Sequence, residues 1–252
     1  MTGDRSGTTA QGDVRPLLEL RDVEASYGPY RALFGVTFSV PEGSAVALVG
    51  SNGAGKSTVA RVVSGLVRAK AGTIRFAGHD VTRWPAWRIA RAGLAQAPEG
   101  RSVFASLTVE ENLILAARAL GSRPPSGALD LAFSTFGQLA ARRHQLAGTL
   151  SGGEQRMLSL AKVLAVPQRL LVVDELSFGL SPAVVDEVFD TLRTIRDTGT
   201  SLLVIEQHLD RVLSMSDRAV VLVRGRVAAE GTVADVEPAI ERLLPAHPQW
   251  SA

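Results

Sequence analysis

From residue 17 onward the apolar and β-branched positions fall in short runs, LLELRDV, VTFSV, SAVALVG and GTIRF, each bounded by Gly, Pro or Asp. Runs of this length and flanking predict strands, so a β-rich segment opens the domain. Past Ala45–Gly50 the apolar period lengthens to that of a helix over Lys56–Leu66. Further strands are predicted at Leu170–Asp174 and Ser201–Glu206, each followed by a helical stretch. That alternation is the pattern of a parallel sheet covered by helices, an α/β core. Between about 108 and 165 strand signals vanish. Thr108-Val-Glu-Glu111 predicts a capped helix running to Leu120, and Ser151-Gly-Gly-Glu154 has capping-box spacing before a periodic run to Ala165. A helical subdomain inserted over about 108–165 is the expectation, with GSRPPSG (121–127) as a surface loop. Ser181-Pro182 reads as a cap and first helical residue, Arg224-Gly225-Arg226 as a hairpin turn, and Thr232-Val-Ala-Asp235 as the start of a last helix. Residues 1–16 read as a disordered tail and 246–252 as a flexible terminus, leaving 17–245 as the folded domain.

Composition narrows the classes. With 46% hydrophobic and 21% charged residues the 252-residue chain is of ordinary globular type, and no uncharged apolar run approaches the roughly 18 residues of a spanning helix. A net charge of +2, from 27 basic and 25 acidic residues, makes no case for nucleic-acid binding. The absence of cysteine excludes a disulfide framework, a thiolate nucleophile and cysteine-ligated zinc. His79, His144 and His247 lack any spacing with acids that suggests a metal site, and Arg142-Arg143-His144 reads as a solvated helix face.

Chemistry concentrates in three places. Gly50-Ser51-Asn52-Gly53-Ala54-Gly55-Lys56-Ser57 follows an apolar strand and opens a helix, the context a phosphate-binding loop requires. Glycines let backbone N–H groups curl around phosphate oxygens, the helix start favours an anion, Lys56 reaches the β- and γ-phosphates, and Ser57 can ligate Mg²⁺, with Thr58 supporting the loop. The strand Leu170–Asp174 ends in Asp174-Glu175. Two acids at a buried strand end are costly unless a cation or donors offset them, which suits Asp174 to the metal and Glu175 to orienting or deprotonating a water. Leu150-Ser151-Gly152-Gly153-Glu154-Gln155 places two glycines behind a capping serine, a second helix start able to meet an anion.

The phosphate loop, the Leu150–Gln155 segment and the acid-ended strand, in that order along the chain and at this approximate spacing, resemble the ABC ATPase family over about residues 17–245. The resemblance implies a P-loop NTPase core with a β-rich N-terminal part and an inserted helical subdomain, ATP and Mg²⁺ as ligands, and an ATPase activity. It also implies a second ABC ATPase subunit, as homodimer or heterodimer, whose ATP site would be completed by Ser151, Gly152, Gly153 and Glu154. Tyr27 matches the position that stacks on adenine, with a buried strand-edge tyrosine as the alternative. Glu99 stands where most relatives carry glutamine and is expected to touch Mg²⁺ or the attacking water; Gln96 falls within the preceding strand. At the switch position Gln207 has the alignment and His208 the chemistry for a γ-phosphate contact, and both stand as candidates.

The PEGR loop, the GLSP segment and the Glu-Gln pair together resemble ATPase subunits of high-affinity branched-chain amino acid importers, close to those of urea importers. Leu176, where proline is usual, and Ser181, where aspartate is common, depart from the wider family. The resemblance implies transmembrane permease partners, indirectly an extracytoplasmic substrate-binding protein, and a peripheral place on the cytoplasmic face of the membrane. Val103, Phe104 and Leu107 are expected either to meet the permeases or to fill the local core. A soluble ABC protein acting on ribosomes or DNA is the alternative; such relatives usually carry paired ATPase domains or long coiled coils, and neither is found here.

Overall fold

The computed structural model describes residues 16–97, 102–119, 127–165, 168–177, 180–206 and 208–244. Strands β1 (Pro16–Tyr27), β2 (Tyr30–Pro41), β4 (Ala71–Phe76) and β5 (His79–Asp80) form an antiparallel sheet in the order β2-β1-β4-β5. A second sheet has the order β10-β9-β3-β8-β7-β6, from β3 (Ala45–Val49), β6 (Leu94–Ala97), β7 (Leu170–Asp174), β8 (Ser201–Ile205), β9 (Arg218–Val223) and β10 (Arg226–Thr232). Within it β3 runs parallel to β8 and β9, and β7 parallel to β6 and β8; only the edge pair β9–β10 is antiparallel. The carboxyl ends of β3, β6, β7 and β8 therefore lie at one edge of the sheet, where ligands of open α/β folds bind.

Every residue of β3, β7 and β8 is buried, because both faces of the sheet are covered. Ala47, Val173 and Val204 point into a core built with helices α3 (Val109–Ala119), α6 (Gly152–Leu164), α7 (Pro182–Asp197), α8 (Leu209–Ser214) and α9 (Val233–Leu243). Their neighbours Leu48, Val172 and Leu203 point the other way, against the antiparallel sheet, α1 (Lys56–Val63) and α2 (Ala86–Arg91). Burial on both faces is why these strands read as unbroken apolar runs rather than alternating ones. Among the described residues no helix is long and apolar enough to cross a membrane.

Between β6 and β7 the described residues form helices and turns, with α4 (Ala128–Thr135) and α5 (Gly137–Ala140) preceding α6 and one isolated bridge joining Thr108 to Leu146. Both capping boxes form there. Glu111 Oε2 accepts from Thr108 N at 2.8 Å while Glu111 N donates to Thr108 Oγ1 at 3.2 Å, and Ser151 and Glu154 repeat the arrangement at α6. Thr232 and Asp235 cap α9 likewise, and Ser181 and Pro182 open α7.

Three local expectations change. Helix α1 stops at Val63 rather than Leu66, because Gly65 at φ 72 reverses the chain and Leu66 N donates to Arg61 O at 2.8 Å, a Schellman closure. The β9–β10 turn consists of Arg224 and Gly225, both at positive φ, which is the two-residue hairpin geometry; Arg226 already belongs to the strand. Arg142, Arg143 and His144 lie in the turn after α5, not on a helix, and their side chains are paired: Arg142 with Glu154, Arg143 and His144 with Glu110.

Candidate active site

The loop from β3 to α1 owes its shape to its glycines. A Cβ on Gly50 would stand 2.3 Å from Leu222 O, so only glycine lets this turn lie against β9. Gly55 is the N-cap of α1 at φ 106, a left-handed conformation costly for other residues, and it caps with no side chain. The first N–H groups of a helix have no intrahelical partner, so this start is open to an outside anion. The β9–β10 hairpin supports the loop from behind, with Gly225 N donating to Ala54 O at 2.8 Å.

Lys56 is 5% exposed and donates to Gly50 O at 2.9 Å and Ser51 O at 3.2 Å, with the Glu175 carboxylate 3.9 Å from its Nζ. Burial pulls its ammonium below the usual lysine range, and the charges of Glu175 and Asp174 oppose that shift. Ser57 Oγ donates to Asp174 Oδ1 at 2.9 Å across the gap between α1 and β7. Glu175 follows at φ 47, unusual outside glycine, pinned by a bond from its N–H to Ile205 O at 2.8 Å. Backbone held in that region costs free energy and recurs at catalytic positions. An open cavity of about 410 Å³ is lined by Ala32, Asn52, Gly53, Gly55, Lys56, Ser57, Thr58 and Glu175.

This donor set fits a nucleotide phosphate with Mg²⁺. The glycine cradle and buried amine suit the phosphate, and the Ser57–Asp174 pair offers the hard oxygens Mg²⁺ takes, usually alongside phosphate and water rather than in an all-protein cage. Among the described residues no group of three or more His, Asp or Glu side chains able to hold a metal occurs.

Glu206, which closes β8, was not singled out by its chemistry in the sequence. Only 2% exposed, it accepts from Ser177 N at 3.0 Å and from the Ser177 hydroxyl, holding the turn that carries Glu175. The available signal was the one used for Asp174, an acid ending an apolar strand. Leu176 is fully buried in the helix-side core, so an apolar side chain there anchors the same turn.

The remaining candidates separate. His208 is the N-cap residue of α8, after the end of β8. Glu99 and Gln207 lie outside the described residues. Gln96 lies on β6, as expected. Tyr27 ends β1 at 41% exposure; its hydroxyl accepts from Arg61 Nη1 at 3.4 Å, and it is not among the residues lining the cavity. Ser151, Gly152, Gly153 and Glu154 do not line it either. They form the start of α6, where Gly153 packs against Val184 of α7 and Gln155 Nε2 donates to Ala147 O at 3.0 Å and Leu150 O at 3.2 Å. One chain thus presents two anion-competent helix starts that do not share a cavity. Of the apolar trio, Val103 packs against the helix-side core while Phe104 is 52% exposed, its backbone strapped to the buried Asn112.

Residues 33–177, more than half of the chain, match the family model described as ABC transporter. The chain belongs to the ABC transporter family. As a member it is the ATP-binding, ATP-hydrolysing subunit of such a transporter. It is 37% identical over 216 residues to a high-affinity branched-chain amino acid transport ATP-binding protein, BraG, of Pseudomonas aeruginosa, covering 86% of this chain and 93% of that one. A probable branched-chain amino acid transport ATP-binding protein, LivF, of Archaeoglobus fulgidus is also 37% identical, over 86% of this chain and 92% of its own. Among solved structures, an ATP-binding cassette of an ABC transporter in its ADP conformation superposes with a TM-score of 0.80 at 25% identity, covering 92% of this chain and 99% of that chain.

Proposed function

We propose that this ABC protein powers the uptake of branched-chain amino acids through separate permease subunits at the cytoplasmic face of the membrane. The cargo rests on one observation: 37% identity along nearly the whole length of two proteins named for that transport. The chemistry rests on the cluster of Lys56, Ser57, Asp174 and Glu175 at the carboxyl ends of β3 and β7.

In this account the loop from Gly50 to Gly55 and the ammonium of Lys56 bind the β- and γ-phosphates, while Ser57 and Asp174 hold Mg²⁺. The metal, when bound, neutralises charge building on the phosphate oxygens. Glu175, fixed by its strained backbone and by the Ser177–Glu206 contacts behind it, orients the attacking water and takes its proton. Glu99 touches the metal or that water, His208 or Gln207 contacts the γ-phosphate, and Tyr27 stacks on the adenine. Ser151 and the glycines after it complete the nucleotide site of a second ATPase subunit, since they lie away from the phosphate cavity of their own chain. Exposed Phe104 meets the permease, and a binding protein outside the membrane delivers the cargo.

The test is reconstitution of the complex purified through this chain from its own membranes. Permeases should co-purify, and ATP hydrolysis in proteoliposomes should rise with leucine, isoleucine or valine and the binding protein. Stimulation by urea and not by these amino acids would overturn the cargo; absence of any membrane protein would overturn the transport role.

A further inference from the structure

The start of α6 carries an electrostatic difficulty. Ser151 Oγ accepts from Glu154 N at 3.3 Å, which leaves its hydroxyl proton to be donated outward, toward an anion. The residue completing the box is itself an anion: Glu154 Oε2 accepts from Ser151 N at 2.8 Å, occupying a backbone donor and placing a carboxylate within the same turn. The hydrogen bond from the Ser151 backbone holds that carboxyl below its usual range, so it is ionised near neutrality. A negative charge there opposes the approach of a triphosphate.

Arg142 answers it. From the turn after α5 its Nε reaches Glu154 Oε1 at 2.7 Å, while the adjacent Arg143 turns away to Glu110 at the start of α3. The Glu154 side chain is only 14% exposed while that of Arg142 is 47% exposed, so the carboxylate is partly shielded from water and a modest, salt-sensitive contribution of the guanidinium is expected. We propose that Arg142 is a positioning residue for Ser151: it neutralises Glu154, and so lets the start of α6 accept the γ-phosphate held by a second subunit. This inference rests on the two-subunit site proposed above.

The experiment compares Arg142→Ala, Arg142→Ala with Glu154→Gln, and Ser151→Ala in the assembled transporter, with thermal melts to verify folding. Glutamine can still accept from Ser151 N and so keeps the cap. If Arg142 acts through charge, Arg142→Ala raises the KM for ATP about three- to tenfold with kcat nearly unchanged, more strongly at low salt, and the double variant returns KM to within about twofold of the parent. ATP binding to the isolated chain, which uses the loop before α1, should not change in Arg142→Ala. An unchanged KM in Arg142→Ala, or a double variant no better than the single one, overturns the inference, the latter because mere fastening of the turn to α6 is lost in both. Ser151→Ala separates the two levels. If it abolishes hydrolysis while Arg142→Ala is silent, only the role of Arg142 falls; if Ser151→Ala is also silent, the two-subunit site falls with it.

Discussion

Two helix starts in this chain are proposed to meet phosphate, and they are built in opposite ways. At α1 the cap is Gly55, with no side chain to satisfy the N–H groups and no acid in the first turn, and the buried cation Lys56 is held by backbone carbonyls. At α6 the cap is Ser151 in a closed capping box, with Glu154 in the first turn and Arg142 paired to it. The first start needs a ligand to be at ease; the second is satisfied by its own residues and has a hydroxyl proton left to offer. Such a division suits a site in which one subunit grips the nucleotide and another only senses it.

The largest effect tests the chemistry beside α1. Glu175→Gln should lower ATP hydrolysis at least about 100-fold, the scale of a lost general base, while Mg-ATP is retained, measured by single-turnover assay and nucleotide binding. Next is the grip itself. Lys56→Met should weaken Mg-ATP binding about 10- to 100-fold, the worth of charge-assisted hydrogen bonds, and it also leaves Gly50 O and Ser51 O without their donor.

Smaller effects should separate the two caps by cause. Ser151→Ala should cost about 1 kcal/mol of stability through the lost cap, read by denaturant titration. Gly55→Ala should cost as much or more for another reason, strain at φ 106 and contact with Leu33 Cδ2 at 3.0 Å and Ala32 O at 3.1 Å.

The two starts should respond to pH in separate windows, each gaining stability as pH rises through its own window. Lys56 titrates below the ordinary 10.5 in the folded chain, so between its lowered value and 10.5 the unfolded chain binds more protons and stability rises with pH. The stability of the parent relative to Lys56→Met should accordingly rise as pH climbs toward 10.5. Glu154 titrates below its usual 4.5, so its contribution is present above that value and lost as pH falls through the folded one. Melts of Lys56→Met and of Glu154→Gln across pH, each against the parent, check the two windows.

Much of this was legible in the sequence because the signals are local. The phosphate loop, the capping boxes at Thr108, Ser151 and Thr232, and the strands ending in Asp174 each lie within a few consecutive residues, where spacing translates directly into geometry. What was not legible is tertiary. The early end of α1 follows from Gly65 turning against Ile89, whose side chain would be 2.8 Å from an added Cβ. The support of the Glu175 turn by Glu206 joins the segments that follow two strands, and the pairing of Arg142 with Glu154 joins a turn to a helix twelve residues later. The basic run reads along the chain as solvated, and it is exposed; only the packing of α5 beside α6 shows that it also divides between two acids. Leu176 stood out as a departure in the sequence and becomes intelligible once it is seen fully buried.

In the proposed arrangement the open start of α1 and the capped start of α6 meet one nucleotide from two subunits. Sedimentation velocity of the Glu175→Gln chain with Mg-ATP tests it most directly, repeated with Lys56→Met or Ser151→Ala added. The account predicts an ATP-dependent species of twice the mass, retaining one nucleotide per chain and lost when either helix start is altered. A species of unchanged mass with no retained nucleotide, or a dimer indifferent to both substitutions, would contradict it.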